Sequence, residues 1–279
     1  MRIRKAIVTA AGPGQDALPL HLLVDRDGVE KTAIEMIIEE IDSAGIDSIG
    51  VIVNPGSQVA YREAAGKYHD RLTFIEQVQV GAGYGQAILA GRDFAGGEPF
   101  LHMVGDHLCF SKTPQRCAMQ LCEVASKQEC MVSAVQATRE SLLPEFGTIG
   151  GVRLQDLERV IEVKQVIEKP TPTQAEQELT IAGFRSGTYL CFFGMHVLMP
   201  SIFPRLEEVI SKSNGPVPLT LGLQAALRRE RYLGYEIDGY RYNLGVKYGL
   251  LQCQLALGLS GVDRDRILTQ LIDLLSIHR

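Results

Sequence analysis

A glycine loop stands directly behind the opening apolar run: Ala10-Ala11-Gly12-Pro13-Gly14-Gln15-Asp16-Ala17 formally satisfies G-x-G-x-x-(G/A). Glycines at this spacing let a pyrophosphate approach the backbone at a helix N-terminus. Two features argue against a dinucleotide. Pro19 falls where the following helix should run, and the second strand ends at Val53-Asn54-Pro55 without a carboxylate for a ribose 2′-hydroxyl. The structural alternative is a tight turn that only closes the strand. Further along, Asp106 follows an apolar run and offers a hard oxygen ligand for a divalent cation, or else caps the next segment, while neighbouring His107 reads as a loop residue. Glu168 and Lys169 precede Pro170; such a pair can accept from hydroxyls and meet a phosphate, or form an exposed ion pair at a turn.

These groups need a frame that brings distant parts of the chain to one edge. Short β-branched runs alternate with helical periodicity: 3–9 as strand, 29–44 as helix with Ala33, Ile34, Ile37, Ile38 and Ile41 on one face, and 48–53 as strand. The rhythm continues with 58–67 as helix, 72–76 as strand, 84–94 as helix and 100–104 as strand. That succession predicts a parallel sheet covered on both faces. In the second half, 130–137 reads as a strand, and 147–169 and 187–198 as hairpin-rich β structure, which adds antiparallel strands. Two amphipathic helices close the chain, 246–257 and 264–277, the second with Asp263 as N-cap.

The 279 residues, 46% of them hydrophobic, suffice for one sizeable core. A net charge of -5 with scattered basic residues disfavours nucleic acid and anionic membrane as partners. The six cysteines form no C-x-x-C pair, and Cys117, Cys122 and Cys130 fit no common zinc spacing, so buried reduced thiols are expected. The start MRIRKAIVTAAG lacks a signal peptide's apolar region, and no apolar run reaches the ~18 residues of a membrane span; a cytoplasmic location is expected.

The segments AAGPG (10–14), LVDRDG (23–28), Gln77 with GYGQA (83–87), GDH (105–107), Phe146-Gly147, IEKP (167–170), FGMHVLMP (193–200), PLTLGLQAAL (218–227) and YNLGVKYG (242–249) follow one another along most of the chain. Together they resemble the sugar-1-phosphate nucleotidyltransferases, most closely the UTP–glucose-1-phosphate uridylyltransferase family. Its motifs read A-A-G-x-G-T-R with L-P-x-V-D, a glutamine with G-x-G-H-A, then G-D-D, V-E-K-P, Q-L-T-D-A-I and Y-D-I-G-D-K-x-G. The resemblance implies a Rossmann-like, GT-A-like α/β fold: a mixed, mainly parallel sheet flanked by helices, with added antiparallel strands and C-terminal helices. It implies one domain over 1–279, with a nucleotide-binding half at about 1–130, a sugar-binding half at about 131–245 and closing helices at 246–279.

The resemblance also implies a ligand of the UTP or UDP-glucose type. Ala11, Gly12, Gly14, Gln77, Gly83 and Asp106 would hold the nucleotide, and Gly147, Glu168, Lys169 and Gly194 the sugar phosphate. Gln77 and Gly83 stand one residue further apart than in the family, so Gln79 competes for the base. Mg²⁺ is implied at Asp106 and position 243. A homo-oligomer is expected, with an active homologue as the other partner, and an apolar stripe of Ile267, Leu268, Leu271, Leu274 and Leu275 marks the last helix.

The family's reaction attacks the α-phosphate of a nucleoside triphosphate with a sugar-1-phosphate and releases pyrophosphate, so positioning and charge neutralisation carry it. Here the chain departs from its family. No Lys or Arg occurs between Lys5 and Arg26, Asp16 stands where the loop arginine belongs, and the stretch from Gly14 to Asp25 is shorter than the family motif. Asn243 replaces the second metal-binding carboxylate, a full charge fewer in a weakened Mg²⁺ site. Arg26 or Lys31 are the candidate substitutes for the lost cations. Two expectations follow: impaired uridylyl transfer, or a non-catalytic paralogue that binds nucleotide-sugar or associates with an active homologue. A metal-dependent glycosyltransferase would want D-x-D, which Asp106-His107-Leu108 does not supply.

Overall fold

Alternating apolar runs build the strands, and the computed structural model describes residues 1–12, 17–77 and 83–277. In chain order the strands are β1 (Lys5–Thr9), β2 (Leu22–Val24), β3 (Glu30–Thr32), β4 (Ser48–Val53), β5 (Leu72–Glu76), β6 (Phe100–Val104), β7 (His107–Ser111), β8 (Met131–Arg139), β9 (Thr148–Arg153), β10 (Val160–Ile167), β11 (Thr188–Leu198), β12 (Tyr232–Glu236) and β13 (Gly239–Asn243). Nine of them form one sheet in the order β5-β4-β1-β6-β11-β8-β12-β10-β9. β5, β4, β1 and β6 are parallel. β11 opposes β6 and β8, β12 is parallel to β8, and β10 opposes β12 and β9. Seven strands thus share one direction, which is the mainly parallel sheet with antiparallel additions that the sequence predicts. The β7–β13 and β2–β3 ribbons lie outside it.

The helices are α1 (Ala33–Ser43), α2 (Gln58–Ala64), α3 (Tyr84–Ala90), α4 (Arg92–Ala95), α5 (Cys117–Gln128), α6 (Pro172–Glu178), α7 (Ile202–Ser211), α8 (Leu219–Leu227), α9 (Gly249–Ser260) and α10 (Arg264–Ile277). The period of two sends Ala6 and Val8 to one face of the sheet, under α1, α5 and α9, and Ile7 to the other, under α3, α7 and α8. Both faces are dry. Running through the second core is a row of polar groups. Thr9 Oγ1 lies 3.2 Å from His102 Nε2, the His102 and His196 rings are 5.8 Å apart, and Ser133 Oγ bonds both His196 Nδ1 and Tyr232 Oη at 2.5 Å. Burial lowers both histidines, His196 to about 3, so the row is neutral.

Some element limits differ from the sequence expectation. Residues 29–44 are not one helix, because Thr32 caps α1: its hydroxyl accepts from Glu35 N while the Glu35 carboxylate accepts from Thr32 N. Residues 84–94 break at Gly91, where a Cβ would stand 2.7 Å from Ile7 Cδ1. α2 ends at Ala64 and passes into the 3₁₀ turn Gly66–Arg71. The helix expected over 246–257 starts only at Gly249, whose amide closes a turn on Val246 O. α10 buries none of its residues and leaves Leu268, Ile272 and Leu275 exposed. No helix among the described residues is long and apolar enough to cross a membrane.

α1 also buries a charge. Glu40, 5% exposed, accepts from Ala118 N at 2.7 Å with Arg116 Nη1 3.7 Å away. Burial raises its carboxyl above the usual range in spite of these partners. A folded-state value above the unfolded one means that stability is lost as pH rises through that range. Glu40→Gln is therefore expected to gain in Tm relative to the unmodified chain as the pH of parallel thermal melts is raised from about 4 to about 7.

Candidate functional site

The parallel strands end on one edge, the place where sheets of this kind take ligands. Ala11 and Gly12 follow β1, Asn54 follows β4, Gln77 follows β5, and Gly105 and Asp106 follow β6. Ala11 and Gln77 are buried. Gly14 and Gln79 lie outside the described residues. Gly83 opens α3 with φ at 106°, and a Cβ there would stand 2.7 Å from Val217 N. Only a glycine at this point lets the segment before α8 cross the start of α3. Gly85 N then donates to Val217 O at 2.8 Å.

Tyr84 occupies the middle of the edge. Its hydroxyl lies 3.3 Å from His102 Nδ1. Burial first, then the charges of Asp106 and Glu168, push its phenol well above the usual value, against a hydrogen bond with Thr9. The phenol stays protonated, and it feels one carboxylate from each half of the chain. Asp106 and Glu168, 62 positions apart in the sequence, thus both act on this one phenol.

Asp106 Oδ1 receives His107 Nδ1 at 2.7 Å. Burial alone would raise the Asp106 carboxyl, but the bond and charge of His107 hold it below the ordinary value. The β7–β13 ribbon sets Asn243 opposite His107, and Leu244 N donates to Asp106 O at 2.8 Å. Position 243 is thus paired with the neighbour of Asp106, and the Asn243 Oδ1 accepts from Gly245 N at 2.8 Å. Among the described residues no group of three or more His, Cys, Asp or Glu is placed to hold a metal. Gly194 completes this corner: β11 shifts register between Phe192 and His196, and the glycine, with φ at 88°, lies against Val104 and His107.

The segments at 146–147, 167–170 and 218–227 also converge. Gly147 O accepts from Phe192 N at 2.8 Å, and a Cβ on Gly147 would stand 2.7 Å from both Phe192 and Thr220. Lys169 N donates to Phe146 O at 3.2 Å. Lys169 itself is exposed and adopts a left-handed backbone with φ at 45°, which costs a non-glycine residue about 1 kcal/mol or more and is typical of ligand sites. Beneath this corner Arg241 stacks on the Phe146 ring at 3.7 Å and donates to Phe192 O. Burial draws its guanidinium down to about 10, still a cation at neutral pH.

The two candidate replacement cations belong to the β2–β3 ribbon and its turn. Lys31 Nζ is held by Asp25 at 2.7 Å and Glu39 at 2.8 Å, with Asp25 also closing the β2–β3 turn through the amides of Asp27 and Val29. Burial would lower the Lys31 ammonium, but its two carboxylate partners raise it above the usual value. Arg26 is exposed and lines a cavity of about 750 Å³ with Glu39, Glu40, Arg116 and Val262, on the α1 side of β7. His107 lines that cavity too, whereas Gly147, Glu168 and Gly194 do not.

The family model described as nucleotidyl transferase matches residues 5–231, most of the chain and both sides of this edge. The chain belongs to that family. Among its relatives is the UTP–glucose-1-phosphate uridylyltransferase of Mycoplasma genitalium, 28% identical over 94% of this chain and 94% of the relative. The protein of the same name from Bacillus subtilis is 28% identical over 95% of each chain. Among solved structures, UDP-glucose pyrophosphorylase complexed with UDP-glucose superposes with a TM-score of 0.74 at 24% identity, covering 91% of this chain and 98% of the other. UDP-glucose pyrophosphorylase from Acinetobacter baumannii gives 0.76 at 19% identity, covering 98% and 100%. At those identities the structures establish the shared fold.

Within this family fold, sequence reading had singled out the glycines and the acidic residues but not the groups that support them. Arg241 stands outside those motifs, and Tyr84 and Thr220 enter only as members of the segments 83–87 and 218–227. A single arginine between two tyrosines in an otherwise strand-like stretch is the one local signal for Arg241.

Proposed function

We propose that this nucleotidyl transferase binds a nucleotide-sugar of the UDP-glucose type across the carboxyl edge, and that its uridylyl transfer from UTP to a sugar-1-phosphate is impaired. Ala11, Gly12, Gln77 and Gly83 line the nucleotide end, with Gly14 in the same loop. Gly147, Glu168, Lys169 and Gly194 receive the sugar and its phosphate. The observation that carries the impairment is the state of Lys31: its ammonium is bound to two carboxylates, so moving it to a triphosphate would leave Asp25 and Glu39 without their partner. Losing a single stabilising donor typically costs about 10²–10³ in rate.

The donors present fit Mg²⁺ poorly. Asp106 contributes one carboxylate with an oxygen bound to His107, and the Asn243 amide oxygen is engaged by its own turn. What the residues do support is binding: Lys169 as a cation for the sugar-side phosphate and Glu168 as an acceptor for sugar hydroxyls. The intact sugar side beside a depleted triphosphate side also favours a non-catalytic role, as a nucleotide-sugar binder or as the partner of an active homologue.

Calorimetric titration with UTP, UDP-glucose and glucose-1-phosphate, with and without Mg²⁺, tests this. UDP-glucose is expected to bind with little dependence on Mg²⁺, and UTP to bind more weakly. Tight Mg²⁺-dependent UTP binding together with pyrophosphate release would contradict it.

A further inference from the structure

Thr9, Tyr84 and His102 meet between β1, β6 and α3. His102 sits in the middle of β6 with no exposed surface, opposite Ile7 of β1 and His196 of β11. Thr9 Oγ1 lies 3.2 Å from its Nε2, and Tyr84 Oη lies 3.3 Å from its Nδ1 and 3.4 Å from its Nε2. The Tyr84 and His102 rings meet edge to face with centroids 5.3 Å apart. Burial, and then His196, hold the imidazole neutral. A neutral imidazole has one N–H to give and one lone pair to accept with, and each of the two hydroxyls can take either part. The three side chains can therefore satisfy one another without water.

Both hydroxyls belong to segments of the nucleotide end. Thr9 closes β1 directly before Ala10, Ala11 and Gly12, Tyr84 opens α3 directly after Gly83, and β6 itself runs on to Gly105 and Asp106. The imidazole thus joins three segments far apart in the chain. Its other neighbour leads away from that edge: His196 Nδ1 bonds Ser133 Oγ, which bonds the hydroxyl of Tyr232, the first residue of β12. A leucine would fill the place of His102 with no polar group to desolvate. The hydroxyls of Thr9 and Tyr84 would then have only each other, and the ring that fixes the direction of both would be gone.

We infer that His102 is a positioning residue for the nucleotide: through Thr9 and Tyr84 it fixes the loop after β1 against the start of α3. This rests on the nucleotide binding proposed above. The imidazole is fully buried and reaches no ligand itself, so its effect passes through those two side chains. The segments at 146–147 and 167–170 are held separately, by Lys169 N on Phe146 O and by Arg241 on the Phe146 ring. A change at His102 therefore falls on the nucleotide and spares the sugar phosphate.

His102→Leu, His102→Gln, Tyr84→Phe and Tyr232→Phe are titrated with UDP and, separately, with glucose-1-phosphate beside the unmodified chain, and ligand-free melts are recorded. His102→Leu and Tyr84→Phe are each expected to weaken UDP about 10-fold and to leave glucose-1-phosphate within about 2-fold. His102→Gln, which keeps a donor and an acceptor, is expected to recover UDP to within about 3-fold of the unmodified chain. Tyr232→Phe breaks the same polar row at its far end, and is expected to lower Tm by about 2–4 °C with both affinities unchanged. Combining His102→Leu with Tyr84→Phe should weaken UDP no further than His102→Leu alone, because both remove one link. If His102→Leu does not fold, Tyr84→Phe, which deletes one hydroxyl and keeps the ring, decides the question with His102→Gln. Unchanged UDP affinity in Tyr84→Phe or His102→Leu, or an equal loss of both ligands, overturns the positioning role and leaves nucleotide binding standing. A loss of UDP affinity in Tyr232→Phe as large as in Tyr84→Phe overturns it as well, since general loosening of the core would then explain both. If the unmodified chain takes no UDP, the reading of this edge falls and the inference with it.

Discussion

Inserting the missing cationic segment between Gly14 and Asp25, together with Asn243→Asp, is expected to raise pyrophosphate release from UTP and glucose-1-phosphate by at least about 10²-fold over the unmodified chain. The transition state of this transfer spreads charge over several phosphate oxygens, and preorganised cations do most of the work of stabilising it. The opening loop of this chain has none between Lys5 and Arg26. Lys31 is held by Asp25 and Glu39, and Arg26 lies on the α1 side of β7. Asn243→Asp adds a charge opposite His107, the neighbour of Asp106 in the chain, and hard-cation affinity depends on charge count. The two changes act on one charge distribution, so their effects need not multiply. A pyrophosphate assay with Mg²⁺ on the unmodified chain, each single change and the combination decides it. Turnover in the unmodified chain that the graft does not increase would show that another group supplies the cations.

Gly194→Ala is expected to destabilise the protein by about 2 kcal/mol, a fall in Tm of roughly 4–8 °C, and to weaken UDP-glucose binding about 10-fold. Two costs combine at this position. The backbone has φ at 88°, which L side chains rarely adopt, and the new Cβ would stand 2.8 Å from Val104 Cγ2 and 3.5 Å from the His107 ring. Relief of that contact moves β11 away from the Asp106–His107 pair, which is why binding should suffer along with stability. Gly97→Ala separates the two effects: φ there is 79°, yet nothing lies within 4 Å of the added Cβ. It should show the backbone cost alone, with UDP-glucose affinity unchanged. Equal affinities for all three proteins would show that the Gly194 corner does not touch the ligand.

Much of the frame was legible in the sequence. The runs at 48–53, 72–76 and 100–104 are strands over the expected residues, because an apolar β-branched run between turn residues is a local signal that tertiary packing reinforces. The limits at Thr32, Gly91 and Gly249 were not legible in the same way. Each depends on a capping bond or on the approach of another element, such as Ile7 to Gly91.

The sequence by itself determined two things about the site: which residue types are present, with glycines and a Glu-Lys pair retained, and which are missing, with no cation in the opening loop and an amide at position 243. Tertiary structure alone decided what each of those groups is free to do. It joined Lys31 to Asp25 and Glu39, gave Asn243 Oδ1 to Gly245, brought Tyr84 within the field of Asp106 and Glu168, stacked Arg241 on Phe146 and left Thr220 Oγ1 without a partner among the described residues. The reason is physical. Periodicity and composition are properties of neighbouring residues, whereas a charge or a hydroxyl is spent or available according to what strand register and helix packing place within about 3 Å of it.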